Sequence, residues 1–168
     1  FYKGHVASES YTQLNQLDYG AEISNLRATK PDAVYIFLPG GMGINFIKQF
    51  VGAGLSKDMT LFGPGFSADE DVIKAVGEPM LGMFNTSQWA HDLDNAANKT
   101  FVAAFEKEYG RLPSLYAAQG YDSARLIDAA VRDSKGKLDD KTAVRKALEA
   151  AKFDSVRGAF KFNTNHFP

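Results

Sequence analysis

The sequence has 168 residues, 45% hydrophobic and 23% charged, a length and balance that suit one domain of ordinary globular composition. Its 19 basic and 20 acidic residues are scattered and leave a net charge of -1, which excludes the basic footprint of a nucleic-acid or anionic-membrane binder. Cysteine is absent, so disulfide frameworks, thiolate zinc sites and thiol nucleophiles fall away together, while either redox compartment stays open.

No apolar segment approaches the roughly 18 to 20 residues that span a bilayer, so no direct membrane insertion is expected. Phe1 opens without a charged and then apolar signal region, and the start is expected to be processed or truncated. In the opening run to Asn15, Val6, Tyr11 and Leu14 are sparse, and a short strand is expected near its start. Asp18 precedes Ala21, Ile23, Leu26 and Ala28 at helical spacing, which predicts a helix over Asp18 to Thr29 with Asp18 as N-cap. Lys30 and Pro31 end it.

The stretch Pro31 to Gly43, PDAVYIFLPGGMG, is the centre around which the chain is organised. Ala33 to Leu38 is a continuous apolar run of strand formers, Pro39 breaks it, and Gly40, Gly41 and Gly43 lead into an amphipathic run from Ile44 to Ala53. A strand apolar on both faces suits a parallel sheet with helices on each side, an α/β architecture in which ligands bind beyond the carboxyl ends of the strands. The loop of Pro39, Gly40, Gly41 and Met42 is therefore the first candidate site; the alternative is a plain βα turn. The helix sets Ile44, Ile47, Phe50 and Val51 on one face and stops near Gly54.

Met59 to Phe62 repeats the pattern as a strand running into Gly63, Pro64 and Gly65. Asp69, Glu70 and Asp71 then precede Val72, Ile73, Ala75 and Val76, where acids stabilise the first turn of a helix rather than carry chemistry. Met80 to Thr86 reads as a strand leaving the sheet, and Ser87 to Asn95, polar apart from Trp89, as a crossover or hinge. Ala97 to Tyr109 and Leu115 to Asp133 have helical spacing, the second apolar around much of its circumference and so expected to be buried on most sides. Ser134 to Asp140 reads as a loop, Lys141 to Ala151 as a short amphipathic helix, and Val156 to Phe162 alternates like an edge strand.

Catalytic and metal signals are missing. His5, His91 and His166 lack a metal-ligand spacing, no serine sits in a nucleophile elbow, and the glycine loop has neither a phosphate-binding Lys-Ser/Thr ending nor the dinucleotide fingerprint. No cofactor, metal or catalytic residue is expected.

PDAVYIFLPGG, the GPGF loop at Gly63 to Phe66, the run from Gly82 to Ala130, and VRGAFKFNTNHFP, in this order and spacing, resemble the C-terminal half of a type I periplasmic substrate-binding protein of the branched-chain amino acid ABC transporter family. The resemblance implies two lobes with doubly wound parallel sheets, joined by three crossovers, closing on a ligand in the cleft and only partly covered by this chain. It assigns residues 1–86 to the second lobe, 87–162 to the first, and 163–168 to the start of the third crossover. It also implies an exported, periplasmic protein that is not an enzyme and whose partners are a small-molecule ligand and a membrane permease.

In amino-acid-binding members an acid in the loop equivalent to Gly63 to Phe66 pairs with the ligand ammonium. Here Gly65 and Phe66 carry no charge, and an unpaired buried ammonium costs several kcal/mol. The closer resemblance is to the subgroup that carries aromatic carboxylates of the benzoate or cinnamate type, with Phe66, Trp89 and Tyr116 offering flat apolar surface and Gln119 one helical turn beyond Tyr116. The alternatives are a branched-chain amino acid ligand, a ligand-sensing receptor or regulator on the same fold, and a Rossmann-like enzyme whose catalytic residues lie elsewhere. Expressed alone, two half-lobes are expected to expose apolar surface and to aggregate or be molten.

Overall fold

The computed structural model describes residues 3–159 and 161–166, and its contacts divide the chain into two compact units that meet in sequence between Ser87 and Gln88. In the first unit, residues 3–18 contain no strand, contrary to expectation. Tyr11, Leu14 and Leu17 are exposed there, so the segment has no apolar side to bury. The Gln49 side chain anchors its end instead, donating to the Leu17 carbonyl and accepting from the Tyr19 amide, both at 2.8 Å.

Helix α1 runs Gly20–Thr29 with Tyr19, not Asp18, at its N-cap; Asp18 accepts from the Gly20 amide just outside the helix. Lys30 closes α1 in the left-handed region, donating to the Leu26 carbonyl, and Pro31 prevents continuation. Strand β1 is Ala33–Tyr35, shorter than the apolar run, although the Ile36 amide still reaches the Phe62 carbonyl at 2.9 Å. Helix α2 spans Gly41–Gly52 and begins three residues before the expected start, taking Gly41 and Gly43 into its first turn.

Strand β2 is Thr60–Pro64, helix α3 Glu70–Val76 and strand β3 Phe84–Thr86, which starts four residues after the expected Met80, the last residue of a 3-10 turn over Glu78–Met80. The sheet order is β1-β2-β3, all parallel, with Tyr35 opposite Phe62 and Phe62 opposite Phe84. One face is covered: Val34, Ile36, Leu38 and Leu61 join Ile23 of α1, Phe46, Ile47 and Phe50 of α2, and Val72 and Val76 of α3 in one core. Each large side chain buried there contributes about 1.5–3 kcal/mol. Within the described residues only this face of the sheet carries helices, and Tyr35, Phe37, Phe62 and Phe84 alternate out of that core and are exposed.

In the second unit, helix α4 covers Ala96–Tyr109, α5 Leu115–Asp133 and α6 Lys141–Ala150. Side chains of Asn95, Ser114 and Asp140 cap the three helices by accepting from the amides of Asn98, Ala117 and Ala143. Helix α5 is buried along a single stripe of Leu115, Ala118, Asp122, Ala129 and Ala130, not on most sides. Tyr116 and Ile127 stand outside that stripe and are exposed. Helix α6 packs on α5, and its Val144, Ala147 and Leu148 are half-buried.

The expected edge strand Val156 to Phe162 is replaced, in its described part, by a turn in which the Gly158 amide donates to the Ser155 carbonyl and Gly158 takes φ 95°. Phe160 lies outside the described residues, as do residues 167–168 of the expected crossover.

Candidate functional site

Because all three strands run in parallel, the loops after them emerge at the same edge of the sheet. Pro39 and Gly40 follow β1, with Gly40 at φ 50° and ψ −125° as the N-cap of α2. Gly65, Phe66 and Ser67 follow β2 as a 3-10 turn, and Ser87 follows β3. Fully buried Ser67 donates its hydroxyl to the Leu38 carbonyl at 2.9 Å and so fastens the second loop to the first.

Two glycines allow this close approach. A Cβ on Gly43 would stand 2.6 Å from the Leu38 carbonyl oxygen, and one on Gly65 would stand 2.8 Å from the Ser87 Cβ and 3.2 Å from its Cα. Any side chain at position 65 therefore displaces the backbone that follows β3. Phe66 is half-buried and meets the exposed Phe37 ring edge to face, with centroids 4.8 Å apart and planes at 84°. Pro39, Gly40 and Gly41 are exposed at this edge, whereas Met42 turns into the core of the unit.

Acids near this edge serve the backbone. Asp69, buried, accepts from the Val72 amide at 3.0 Å and caps α3. Burial is the main cause that pushes its carboxyl above the ordinary carboxylate range, partly offset by the Val72 amide and reinforced by the Asp71 charge. A carboxylate whose folded pKa is raised costs stability as pH climbs from the unfolded value through the folded one. Asp69→Asn, which keeps a side-chain acceptor for the Val72 amide, is therefore expected to gain on the wild type over that pH interval and to match it below. Asp69→Ala, which loses both the cap and the titrating group, is expected to cost about 0.5–2 kcal/mol below that interval and less above it. Urea unfolding across mildly acidic pH checks both.

In the second unit Tyr116 occupies the first turn of α5 and is 53% exposed. Gln119 lies three residues on, on the same exposed side, and lines a cavity of about 290 Å³ with Ser123, Asp122, Arg157, Phe153 and Phe162. Trp89 does not share that position: it is 3% exposed, its indole N–H donates to Asn98 Oδ1 at 2.7 Å, and its ring meets Phe101 edge on. Asn98, fully buried, also donates to the carbonyls of His91 and Leu93 at 3.0 and 3.1 Å.

Asp122 is the polar centre of the unit. Its carboxylate accepts from the Ser155 hydroxyl, from the Val156 amide at 3.0 Å and from Arg157 Nε at 3.2 Å. Sequence reasoning missed Arg157 and Phe37. The Asp122–Arg157 pair has no local spacing that could announce it; Phe37 could have been found from its place two residues after Tyr35, next to the glycine loop.

Among the described residues no group of three or more His, Cys, Asp or Glu side chains could hold a metal ion, and no helix is long and apolar enough to cross a membrane.

The family description "Periplasmic binding protein" matches residues 2–168. A "Leu/Ile/Val-binding protein homolog 6" of Brucella melitensis is 29% identical over 92% of this chain and 40% of its own length. Among solved structures, a solute-binding protein of an ABC transporter from R. palustris in complex with benzoate superposes with a TM-score of 0.92 at 35% identity, over 98% of this chain and 45% of that one. A second, from Rhodopseudomonas palustris BisB5 in complex with 3,4-dihydroxybenzoic acid, gives a TM-score of 0.74 at 34% identity, over 89% and 41%. The chain thus spans about 40 to 45% of the length of the relatives it matches. The glycine-loop parallel sheet and the two-unit chain are accordingly part of a type I periplasmic-binding α/β fold, and the chain belongs to the periplasmic binding protein family.

Proposed function

We propose that this chain is part of the extracytoplasmic, periplasmic solute-binding component of an ABC transporter and that its ligand is a small aromatic carboxylate of the benzoate or cinnamate type. The observation that carries the ligand class is the loop after β2, where Gly65 has no room for a side chain beside Ser87 and the next residue presents a phenyl ring. An amino acid would bring an ammonium to a loop without a carboxylate, since the nearby Asp69 is committed to the α3 cap. The benzoate and dihydroxybenzoate complexes of the two R. palustris proteins support the same class.

In this reading Pro39, Gly40, Gly41, Gly65 and Phe66 are the ligand-binding residues of the first unit, with amides at the start of α2 available to a carboxylate. Tyr116 and Gln119 are those of the second unit. Met42 lies in the core of the first unit and Trp89 packs on Phe101 in the second. Binding makes and breaks no covalent bond, so the protein is a carrier rather than an enzyme, and its partner is a membrane permease. Its two units correspond to parts of the second and first lobes.

A branched-chain amino acid ligand is the second reading, favoured by the name of the B. melitensis relative. Calorimetry on the full-length protein separates the two. Benzoate-like or cinnamate-like acids are expected to bind and leucine and valine not to. Tyr116→Ala is expected to weaken the aromatic acid by about 1–3 kcal/mol, the scale of one aromatic side chain's contact area, with little loss of folding. Tight binding of leucine or valine without measurable binding of the aromatic acids would overturn the ligand assignment.

A further inference from the structure

We infer that Ser67 is a positioning residue for ligand binding. The inference rests on the aromatic-acid reading, in which the loop residues from Pro39 to Gly41, with Gly65 and Phe66, meet the ligand and the fully buried Ser67 does not. The Ser67 hydroxyl donates to the Leu38 carbonyl at 2.9 Å, a residue 29 positions earlier in the chain. The donor is itself held in place, because the 3-10 turn Gly65–Ser67 is closed by the Ala68 amide on the Gly65 carbonyl at 3.0 Å.

The acceptor is the last peptide group before the first glycine loop. Holding the Leu38 carbonyl orients the planar peptide that leads into Pro39, and the proline ring restricts the next φ as well. The ψ of Pro39 is then the one soft torsion left before Gly40, whose φ of 50° and ψ of −125° turn the chain into α2. From the other side Gly43 closes on the same oxygen, where a Cβ would stand at 2.6 Å, so the carbonyl has no room to swing toward α2.

The orientation set at Leu38 passes into the first turn of α2. The Pro39 carbonyl accepts from the Met42 amide at 3.2 Å and the Gly40 carbonyl from the Ile44 amide at 3.1 Å. Gly40 and Gly41, both exposed, thereby keep one backbone arrangement before any ligand arrives. Gly65 and Phe66 belong to the same turn as Ser67, so a single hydrogen bond holds the residues of two loops in register. A loop that is already ordered costs a ligand less to bind than one that must be ordered on contact. Without the hydroxyl, the ligand itself has to supply that order.

The test combines calorimetry with benzoate and amide hydrogen exchange, both on the full-length protein. Ser67→Ala is expected to weaken benzoate by about two- to tenfold, the scale of ordering one more group on binding, and to speed exchange of the Met42 and Ile44 amides in the free protein. Saturating benzoate is expected to restore their protection, which a loss of packing alone does not do. Ser67→Cys fills the place with a weaker donor; it is expected to act in the same direction to a smaller extent, and it carries the test where Ser67→Ala does not fold. Ile23→Val, which trims the core of the same unit, is the control and is expected to lower the unfolding midpoint while keeping wild-type affinity and exchange at both amides. Wild-type affinity in the Ser67 variants, or a fall no larger than that in Ile23→Val, would make Ser67 a packing residue and overturn the inference while the aromatic-acid reading stands. A weaker affinity with no faster exchange at either amide would overturn it as well. Wild-type protein that does not bind benzoate would overturn the reading itself, and the inference with it.

Discussion

Asp122→Ala is expected to destabilise the second unit by about 3–5 kcal/mol, the cost of breaking a buried ion pair from one side. The carboxylate is 5% exposed and holds three donors from one turn: the Ser155 hydroxyl, the Val156 amide and Arg157 Nε. Alanine strands the first two in a dry environment and removes the carboxylate charge from beside the guanidinium, itself three-quarters buried. Asp122→Asn keeps an acceptor for one of them and is expected to cost less, about 1–3 kcal/mol. Urea unfolding of the full-length protein gives the totals, and hydrogen exchange at the Val156 amide shows whether the loss is local. If Asp122→Ala unfolded within about 0.5 kcal/mol of the wild type, as ordinary surface changes do, the bracket would have no energetic role.

Trp89→Ala is the second large effect, at about 3–5 kcal/mol, the scale of removing a buried aromatic side chain from a packed core. Trp89→Phe separates ring from donor: it keeps most of the contact with Phe101 but leaves Asn98 Oδ1 with no indole N–H, and is expected to cost about 1–3 kcal/mol. Because Asn98 also gathers the carbonyls of His91 and Leu93, the polar run from Gln88 to Asn95 is fastened to α4. Faster exchange of the Asn98 amide and a lower unfolding midpoint in Trp89→Phe would confirm that the ring and the amide act as one clasp; wild-type values for both would refute it.

Much of the fold was legible because its signals are local. The apolar run ending at Pro39 and the glycines after it act within a few residues, and the ends of α5 fall at Leu115 and Asp133 as the pattern predicts. What was not legible depends on partners far along the chain. The alternation of Val156 to Phe162 suggested a strand, but Asp122, more than thirty residues earlier, draws Ser155, Val156 and Arg157 into a turn. The glycine loops could be read as a candidate site from their type alone, whereas the Phe37–Phe66 contact needs the register of two strands and a 3-10 turn.

The order of the sheet bears on how the chain assembles in time. Each strand pairs with the next one synthesised, Ala33 with Thr60 and then Phe62 with Phe84, so every pairing closes a loop of fewer than thirty residues. The entropy of such a closure is about 3 kcal/mol and nearly the same for both steps. Neither pairing waits for a distant segment, and the covering helix α2 is already in place between the first two strands when they meet. Among the described strands the pairings can therefore form in the order of synthesis, β2 on β1 and then β3 on an edge that already exists.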